Sequence, residues 1–400
     1  MSKRSSNVVP LRRQPVLGEF IHQAVRAAIE QAVDEELEHA LGAESYARVL
    51  SRVGYRNGTR ERTLTGPTGP LPITVPRGRI FEERGSREWQ SRLLPRYQRR
   101  LPEVNEAIAA AYLSGANTRK LKLSLRPLLK HAPLSKSSVS RVVQTLKGAL
   151  DEWRKRSLAE LEVVYLYLDA FPMRVRVAGK VVGVPVLAAV AVLADGTKQL
   201  VSLEMCGSES HAAWRGFLDD LVERGLRAPV LCVVDGCAGL RRALGEVWAK
   251  TAVQRCVVHK LRNILRKAPK HALEEMTDDF HQISYAKNEK EARAAYAAFE
   301  KKWERSCPGA VESLREGGEE LLTYFRFPKS QWKTIRTTNV IERLNGEFRR
   351  RVKTQGSLPT EDAALVLLFS LVASGQIKLR KLDGFEKIAA VLTEKMRQAA

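Results

Sequence analysis

Apolar residues at three- and four-residue steps (Leu17, Phe20, Ile21, Val25, Ile29, Val33, Leu37, Leu41) predict a helix over 17–42 that ends at Gly42. Its other face carries Glu30, Asp34, Glu35, Glu36 and Glu38, which suits packing on protein rather than on phosphate. Over 52–88, glycines and prolines recur, and the short β-prone pieces 63–65 and 71–75 predict a small, arginine-rich hairpin module. Three short helices follow. The first runs through Val104, Ile108, Ala111, Tyr112 and Leu113 and stops near Gly115. The second opens at Asn117 and carries Leu121, Leu125, Leu128 and Leu129, with a distortion at Pro127. After the 131–133 turn, Ser135 can cap a third through Val139, Val142, Val143 and Leu146. With Lys136, Ser137, Ser138 and Arg141 early in that last helix, the pair fits a helix-turn-helix DNA reader or an ordinary helical hairpin.

The central pattern changes from helical to strand-like. Residues 161–168 (LEVVYLYL) form an apolar run that reads as a buried strand ending in Asp169. Strands 173–178 and 181–193 flank a turn at 178–180, and Asp195-Gly196 turns the chain into a strand over 198–205. A helix over 208–225, with Trp214, Phe217, Leu218 and Leu221 on one face, leads to a second buried strand, 229–234, which ends in Asp235. A helix over 238–249 and a short strand near 252–256 follow. The order β-β-β-α-β-α-β, a meander feeding parallel crossovers, is that of a ribonuclease-H-like α/β fold with a mixed-sheet core.

Composition narrows the class. The 400 residues imply two to four domains, and 44% hydrophobic content excludes a disordered basic tail. No apolar run approaches the ~18–20 residues of a membrane span, and the basic start lacks the apolar stretch of a secretory signal. The five cysteines (206, 232, 237, 256, 307) show no framework spacing, which suits a reducing cytoplasm. A net charge of +22 calls for a polyanion, with nucleic acid ahead of an anionic membrane. The excess sits in two blocks, +14 over 51–150 and +7 over 326–355, whereas 276–325 is net acidic. Two such blocks fit a DNA path over two domains.

Asp169 and Asp235 end the two most apolar strands, where an uncompensated carboxylate is costly. If those strands are neighbours, the carboxylates converge at the carboxyl edge of the sheet as hard oxygen ligands for Mg²⁺. Alternatively, each simply opens a turn. A third acid lies in 336–353, where Thr337 or Thr338 can cap a helix whose buried stripe is Ile341, Leu344, Phe348 and Val352. Glu342, Asn345 and Arg349 share an adjacent, semi-exposed face suited to DNA contacts, although Glu342 could instead pair with Arg343 or Arg349.

The spacing Asp169…Asp235…Glu342, with TTNVIERLNGEFRRRVKTQGSLPT around the glutamate, resembles the Mutator-type transposases of bacterial insertion sequences. The likeness covers almost the whole chain. GYRNGTRERTLTGPTGPLPITVPRGR (54–79) and LLPRYQRR (93–100) are similar to the family's amino-terminal region, and NTRK (117–120) with PLSKSSVSRVV (133–143) to its helix-turn-helix. QRCVVHKLRNILRK (254–267) and FPKSQWKTIRTTN (327–339) are similar to stretches of its catalytic half. The resemblance implies a DDE transposase in which Asp169, Asp235 and Glu342 hold two Mg²⁺ or Mn²⁺ ions on a ribonuclease-H-like core with a helical insertion. Phe171-Pro172 stands where the family carries a tyrosine-bearing stretch. Two ions about 4 Å apart would clamp the scissile phosphate for in-line attack by water and then by a freed 3′-hydroxyl.

The implied organisation begins with an amino-terminal helical segment (1–50), the β module (51–100) and the helix-turn-helix domain (101–155). The catalytic core follows in two segments, 156–267 and 326–400, on either side of the insertion (268–325). The implied partners are double-stranded terminal inverted repeats and target DNA, met by a homodimer or larger assembly in the cytoplasm, at the nucleoid, without membrane. Arg119, Lys120, Lys136, Ser137, Ser138 and Arg141 are the candidate DNA contacts of the helix-turn-helix. His259, Lys260, Arg262, Lys333, Arg336, Asn339, Asn345, Arg349, Arg350 and Arg351 are those of the catalytic half. Cys256-x-x-His259 supplies half a zinc site at most, so zinc is not expected and a structural or DNA-positioning role is. Trp332, flanked by Lys329, Lys333 and Arg336, could stack on an unpaired base or belong to the core. The alternatives are a helix-turn-helix regulator or domesticated relative with a silent core, and a structure-specific nuclease.

Overall fold

The computed structural model describes residues 17–67, 69–113, 121, 125, 129, 134–353, 358 and 360–399. The chain forms two compact units, Met1–Val142 and Val143–Ala400. In the first, α1 (Leu17–Leu41) lies on an antiparallel sheet of β1 (Gly54–Gly66), β2 (Gly69–Glu82) and β3 (Gly85–Glu88), in that order. Val33, Leu37 and Leu41 meet Leu64, Leu71, Ile73 and Val75 in its core. The strands run well beyond the two expected fragments, because the ladder accommodates their glycines and prolines. Pro70, Pro72 and Pro76 alternate along β2 with Leu71, Ile73 and Val75, so their donor-less nitrogens fall on the edge away from β1. Thr74 belongs to the same row, and its N–H donates to Glu30 Oε1 of α1 at 2.6 Å. Gly78 lets the helix close on the strand, since a Cβ there would stand 2.6 Å from Leu37 Cδ1. The acidic face of α1 packs on protein: Arg56 bridges Asp34 (2.5 Å) and Glu38 (3.0 Å).

Further along are α2 (Pro102–Leu113) and α3 (Lys136–Lys155). Leu121, Leu125 and Leu129 are buried, and the N–H groups of Leu125 and Leu129 donate to carbonyls four residues back, the helical spacing. Ser135 immediately precedes α3. Arg119, Lys120, Pro127 and the 131–133 turn lie outside the described residues, so the helix-turn-helix stays an expectation.

The second unit is built on an open mixed sheet of β4 (Val163–Val177), β5 (Lys180–Leu193), β6 (Lys198–Met205), β7 (Leu231–Val234) and β8 (Ala252–Arg255). The spatial order is β6-β5-β4-β7-β8; the first three are antiparallel neighbours, and β7 and β8 run parallel to β4. Helices α4 (His211–Glu223) and α5 (Ala238–Val247) make the crossovers, in the expected order of elements. β4 does not end at Asp169 as expected. It continues to Val177 against β5, with Pro172 facing Pro185 so that both missing N–H groups fall on one rung. β7, by contrast, stops at Val234, opposite Leu168. Asp169 and Asp235 are therefore the residues that follow the last shared rung, where the two strands part.

The two faces of β4 have different partners. Leu166 and Leu168 join Trp214, Phe217, Leu221, Leu240 and Leu244 in the core under α4 and α5. On the other face, the Tyr165 hydroxyl donates to Gln331 Oε1 (2.5 Å) and Phe171 stacks on Phe348 with ring centres 5.7 Å apart. After α6 (Val257–Leu265), helices α7 (Leu273–Ser284), α8 (Glu289–Trp303) and α9 (Pro308–Gly317) pack around Met276, Phe280, Phe299, Trp303 and Leu314, with Ile264 of α6. The chain then returns to the sheet through α10 (Trp332–Ile335), α11 (Asn339–Lys353) and α12 (Glu361–Ala373), and α13 (Ile388–Ala399) ends it. Among the described residues no helix is long and apolar enough to cross a membrane.

Candidate active site

At the parting of β4 and β7, Asp169 is 7% exposed. Its Oδ1 accepts from the Ala170 N–H (2.9 Å) and its Oδ2 from Asn345 Nδ2 of α11 (2.8 Å). Burial, reinforced by the charge of Asp235, pushes its carboxyl up to about 7; His259 and the Ala170 N–H oppose the rise, and Glu342 adds to it. Asp235 opens a tight turn, with its Oδ1 accepting from the Cys237 N–H at 3.0 Å. The next residue, Gly236, has φ +100°, and a Cβ there would stand 2.1–2.2 Å from the Arg255 guanidinium, which covers the turn.

Glu342 sits in the first turn of α11, where the amphipathic stripe Ile341, Leu344, Phe348 and Val352 is buried as expected. Neither Arg343 nor Arg349 pairs with it. Its Oε1 meets His259 Nε2 (3.1 Å) and Arg262 Nη1 (3.5 Å), both on α6. Thr338 precedes α11: its backbone N–H donates to Cys256 Sγ (3.3 Å) and its hydroxyl faces His259 Nδ1 (3.3 Å). A hydrogen bond with Cys256 raises the imidazole's affinity for its proton against the effect of burial, and the charges of Glu342 and Asp235 add to it. Burial pushes the Cys256 thiol up, but hydrogen bonds from His259 and Thr338 outweigh it and leave the thiol below its ordinary value. These contacts favour the protonated imidazole beside Glu342.

Among the described residues, no three or more His, Cys, Asp or Glu side chains stand close enough together to hold a metal ion as they are. The donor atoms that Asp169, Asp235 and Glu342 offer are oxygens, the type a hard divalent cation takes. Asp169 is a carboxyl pushed up first by burial and then by the charge of Asp235, and a bound cation would offset that charge. Cys256 is engaged with Thr338 and His259, which matches a structural role better than metal ligation.

Several predicted DNA contacts are corrected. Lys260 is 1% exposed, and its ammonium meets Glu316 and the Ser313 carbonyl (2.8 Å), so it faces protein rather than phosphate. Asn345 is likewise 1% exposed and serves Asp169, so the Glu342–Asn345–Arg349 face is not uniformly semi-exposed. Arg336 donates to the Ser284 carbonyl (2.6 Å) and lies over the Tyr285 ring. Trp332 has its indole N–H on the Phe327 carbonyl (2.7 Å) and meets Tyr324 and Phe325 edge-on, the packing alternative rather than base stacking. Arg262, Lys333, Asn339, Arg349 and Arg350 are exposed, Arg351 is half-buried, and Ser137 and Arg141 are exposed on α3, whose first turn also holds Lys136 and Ser138. Sequence reasoning missed Arg255 and Glu316. Arg255 Nη1 and Nη2 reach the two oxygens of Glu316 at 2.8 and 3.1 Å, so one carboxylate of α9 serves two buried cations. An arginine closing a buried strand was the available signal.

Comparison with known proteins agrees with the resemblance. The family model described as "Transposase, Mutator family" matches residues 4–378. The transposase for insertion sequence element ISRM5 of Rhizobium meliloti is 36% identical over 351 residues, 88% of this chain and 86% of that protein. The transposase for IS406 of Burkholderia multivorans is 33% identical, over 88% of this chain and 89% of that one. Among solved structures, the Drosophila P element transposase strand transfer complex aligns over 74% of this chain and 86% of that one, at 11% identity and a TM-score of 0.31, too slight a likeness to bear on the fold.

Proposed function

The chain belongs to the Mutator family of transposases, and from that premise we propose that it is a DDE enzyme with a ribonuclease-H-like core. It would bind the terminal inverted repeats of an insertion sequence, as a dimer or larger assembly, and catalyse cleavage and strand transfer with Mg²⁺ or Mn²⁺. Asp169, Asp235 and Glu342 are the proposed ligands of two such ions. The observation that supports this best is the parting of β4 and β7, which sets Asp169 and Asp235 side by side after the rung Leu168–Val234. Bound there, divalent ions supply Lewis-acid stabilisation of charge on the phosphate and ease ionisation of the attacking hydroxyl.

The chain's own residues contribute placement. Burial keeps bulk water from Asp169, and the Asn345 amide fixes its Oδ2. His259 Nε2 and Arg262 Nη1 both meet Glu342 at Oε1 and so fix where that carboxylate points. Exposed Lys333, Asn339, Arg349 and Arg350, and the half-buried Arg351, are the proposed phosphate contacts of this half. Ser137 and Arg141 of α3, with Arg119 and Lys120, are proposed to meet the repeat.

The test is Mg²⁺-dependent cleavage of a duplex carrying the end of the element that encodes this chain. Asp169→Ala, Asp235→Ala and Glu342→Gln are each expected to abolish cleavage and transfer while end binding stays measurable by mobility shift. Undiminished cleavage by Asp169→Ala would refute the assignment. A regulator with a silent core would bind the ends and leave them intact in either metal.

A further inference from the structure

The Asn345 side chain has an unexplained half. Its Nδ2 donates to Asp169 Oδ2 at 2.8 Å, yet its Oδ1 is buried with no hydrogen-bond partner among the described residues. A buried amide oxygen left unpaired costs about 1–3 kcal/mol, and a leucine of similar volume would not incur it. A neutral donor does have one property that a cationic one lacks: it fixes a carboxylate without cancelling its charge. An arginine here would compete with any cation that Asp169 is to bind. Asn345 also stands three residues after Glu342 on α11, so the two are neighbours along one side of the helix. One helix thus carries one acid of the site and the amide that holds another. The Phe171–Phe348 stack joins the same strand to the same helix one step further along each.

We propose that Asn345 is a positioning residue whose amide N–H holds the Asp169 carboxylate in the orientation that accepts a divalent cation, and so ties β4 to the helix that bears Glu342. The inference rests on the reading of Asp169, Asp235 and Glu342 as the catalytic set. Asn345 touches neither substrate nor metal in this account; it acts through Asp169.

The full-length protein carries the test in two readouts: the melting temperature titrated with MnCl₂ in the absence of DNA, and Mn²⁺-dependent nicking of supercoiled plasmid. Asn345→Leu removes the donor at near-constant volume, and Asn345→Ala guards against a leucine that fails to fold. The Mn²⁺ concentration for half-maximal effect is expected to rise roughly 10–100-fold in both readouts, the range for groups that orient a metal ligand. The rate at saturating Mn²⁺ should fall less than that. A merely structural amide would lower the melting temperature and leave the half-saturating Mn²⁺ unchanged, and that result overturns the proposal. Asp169→Asn, run in parallel, separates the two possible failures. Should it keep wild-type nicking and Mn²⁺ stabilisation, the catalytic reading falls and takes the inference with it. Should it be inert while the folded Asn345 variants match wild type, the inference falls alone.

Discussion

Glu316→Gln is expected to loosen the second unit from a position outside the proposed catalytic set. Arg255 at the end of β8 is 2% exposed and Lys260 of α6 is 1% exposed, and both converge on the Glu316 carboxylate of α9, whose side chain is 52% exposed. Removing one partner of a buried ion pair costs about 3–5 kcal/mol, chiefly because the charge left behind is unpaired. Water reaches the outer side of Glu316, so screening trims that figure to about 2–3 kcal/mol. For a unit of this size the loss corresponds to roughly 5–10 °C in melting temperature, read by circular dichroism at neutral pH. The pH dependence checks the cause. Burial alone would raise the Glu316 carboxyl, but hydrogen bonds and charge from Arg255 and Lys260 hold it down at about 2, against an ordinary 4.5. A depressed carboxyl stabilises the fold fully above its unfolded value and loses that contribution as the pH falls toward its folded value. The gap between wild type and Glu316→Gln should therefore be widest above pH 5 and narrow steadily from about pH 4.5 toward pH 2. Equal melting temperatures at pH 7, or a gap that ignores pH, would refute the reasoning.

Four further substitutions have expected outcomes. Gly236→Ala places a Cβ 2.1–2.2 Å from the Arg255 guanidinium at a φ of +100°, so it should lower both the melting temperature and cleavage; a variant that melts and cleaves as wild type contradicts the turn geometry. Trp332→Phe keeps a ring but loses the N–H to the Phe327 carbonyl, which predicts a loss of about 1–2 kcal/mol in thermal unfolding, with DNA affinity in a mobility shift unchanged. Lys333→Ala should flatten the slope of log affinity against log salt by about 0.9 for each phosphate the side chain neutralises, whereas Lys260→Met should leave the slope alone and lower stability.

Much of the second unit was legible because its strands are apolar runs and its helices carry one apolar stripe, patterns that depend on near neighbours. Asp169 was legible as a candidate but misplaced at a strand end. A polar residue followed by Ala-Phe-Pro reads as a stop, and what carries β4 onward is the partner strand, where Pro185 faces Pro172 and Val184 and Val182 face Met173 and Val175. The proline-rich β2 was cut short for a related reason, since its donor-less positions are tolerable only on an edge that a single sequence cannot reveal. Lys260 and Asn345 failed differently. Each lies among cationic and amide residues that look made for phosphate, and each is buried by an acid remote in the chain: Glu316, 56 residues away, and Asp169, 176 residues away. Charge patterning reports the sign of a surface and says nothing of which members of a cluster meet a carboxylate from another element. The same acids that removed these two residues from the DNA-facing set connect separate segments of the unit, Glu316 joining α9 to β8 and α6, and Asp169 joining β4 to α11. A polar side chain that turns out buried in a strongly basic chain therefore marks where one segment is fastened to another, and Asn345 is the one fastened to a proposed catalytic carboxylate.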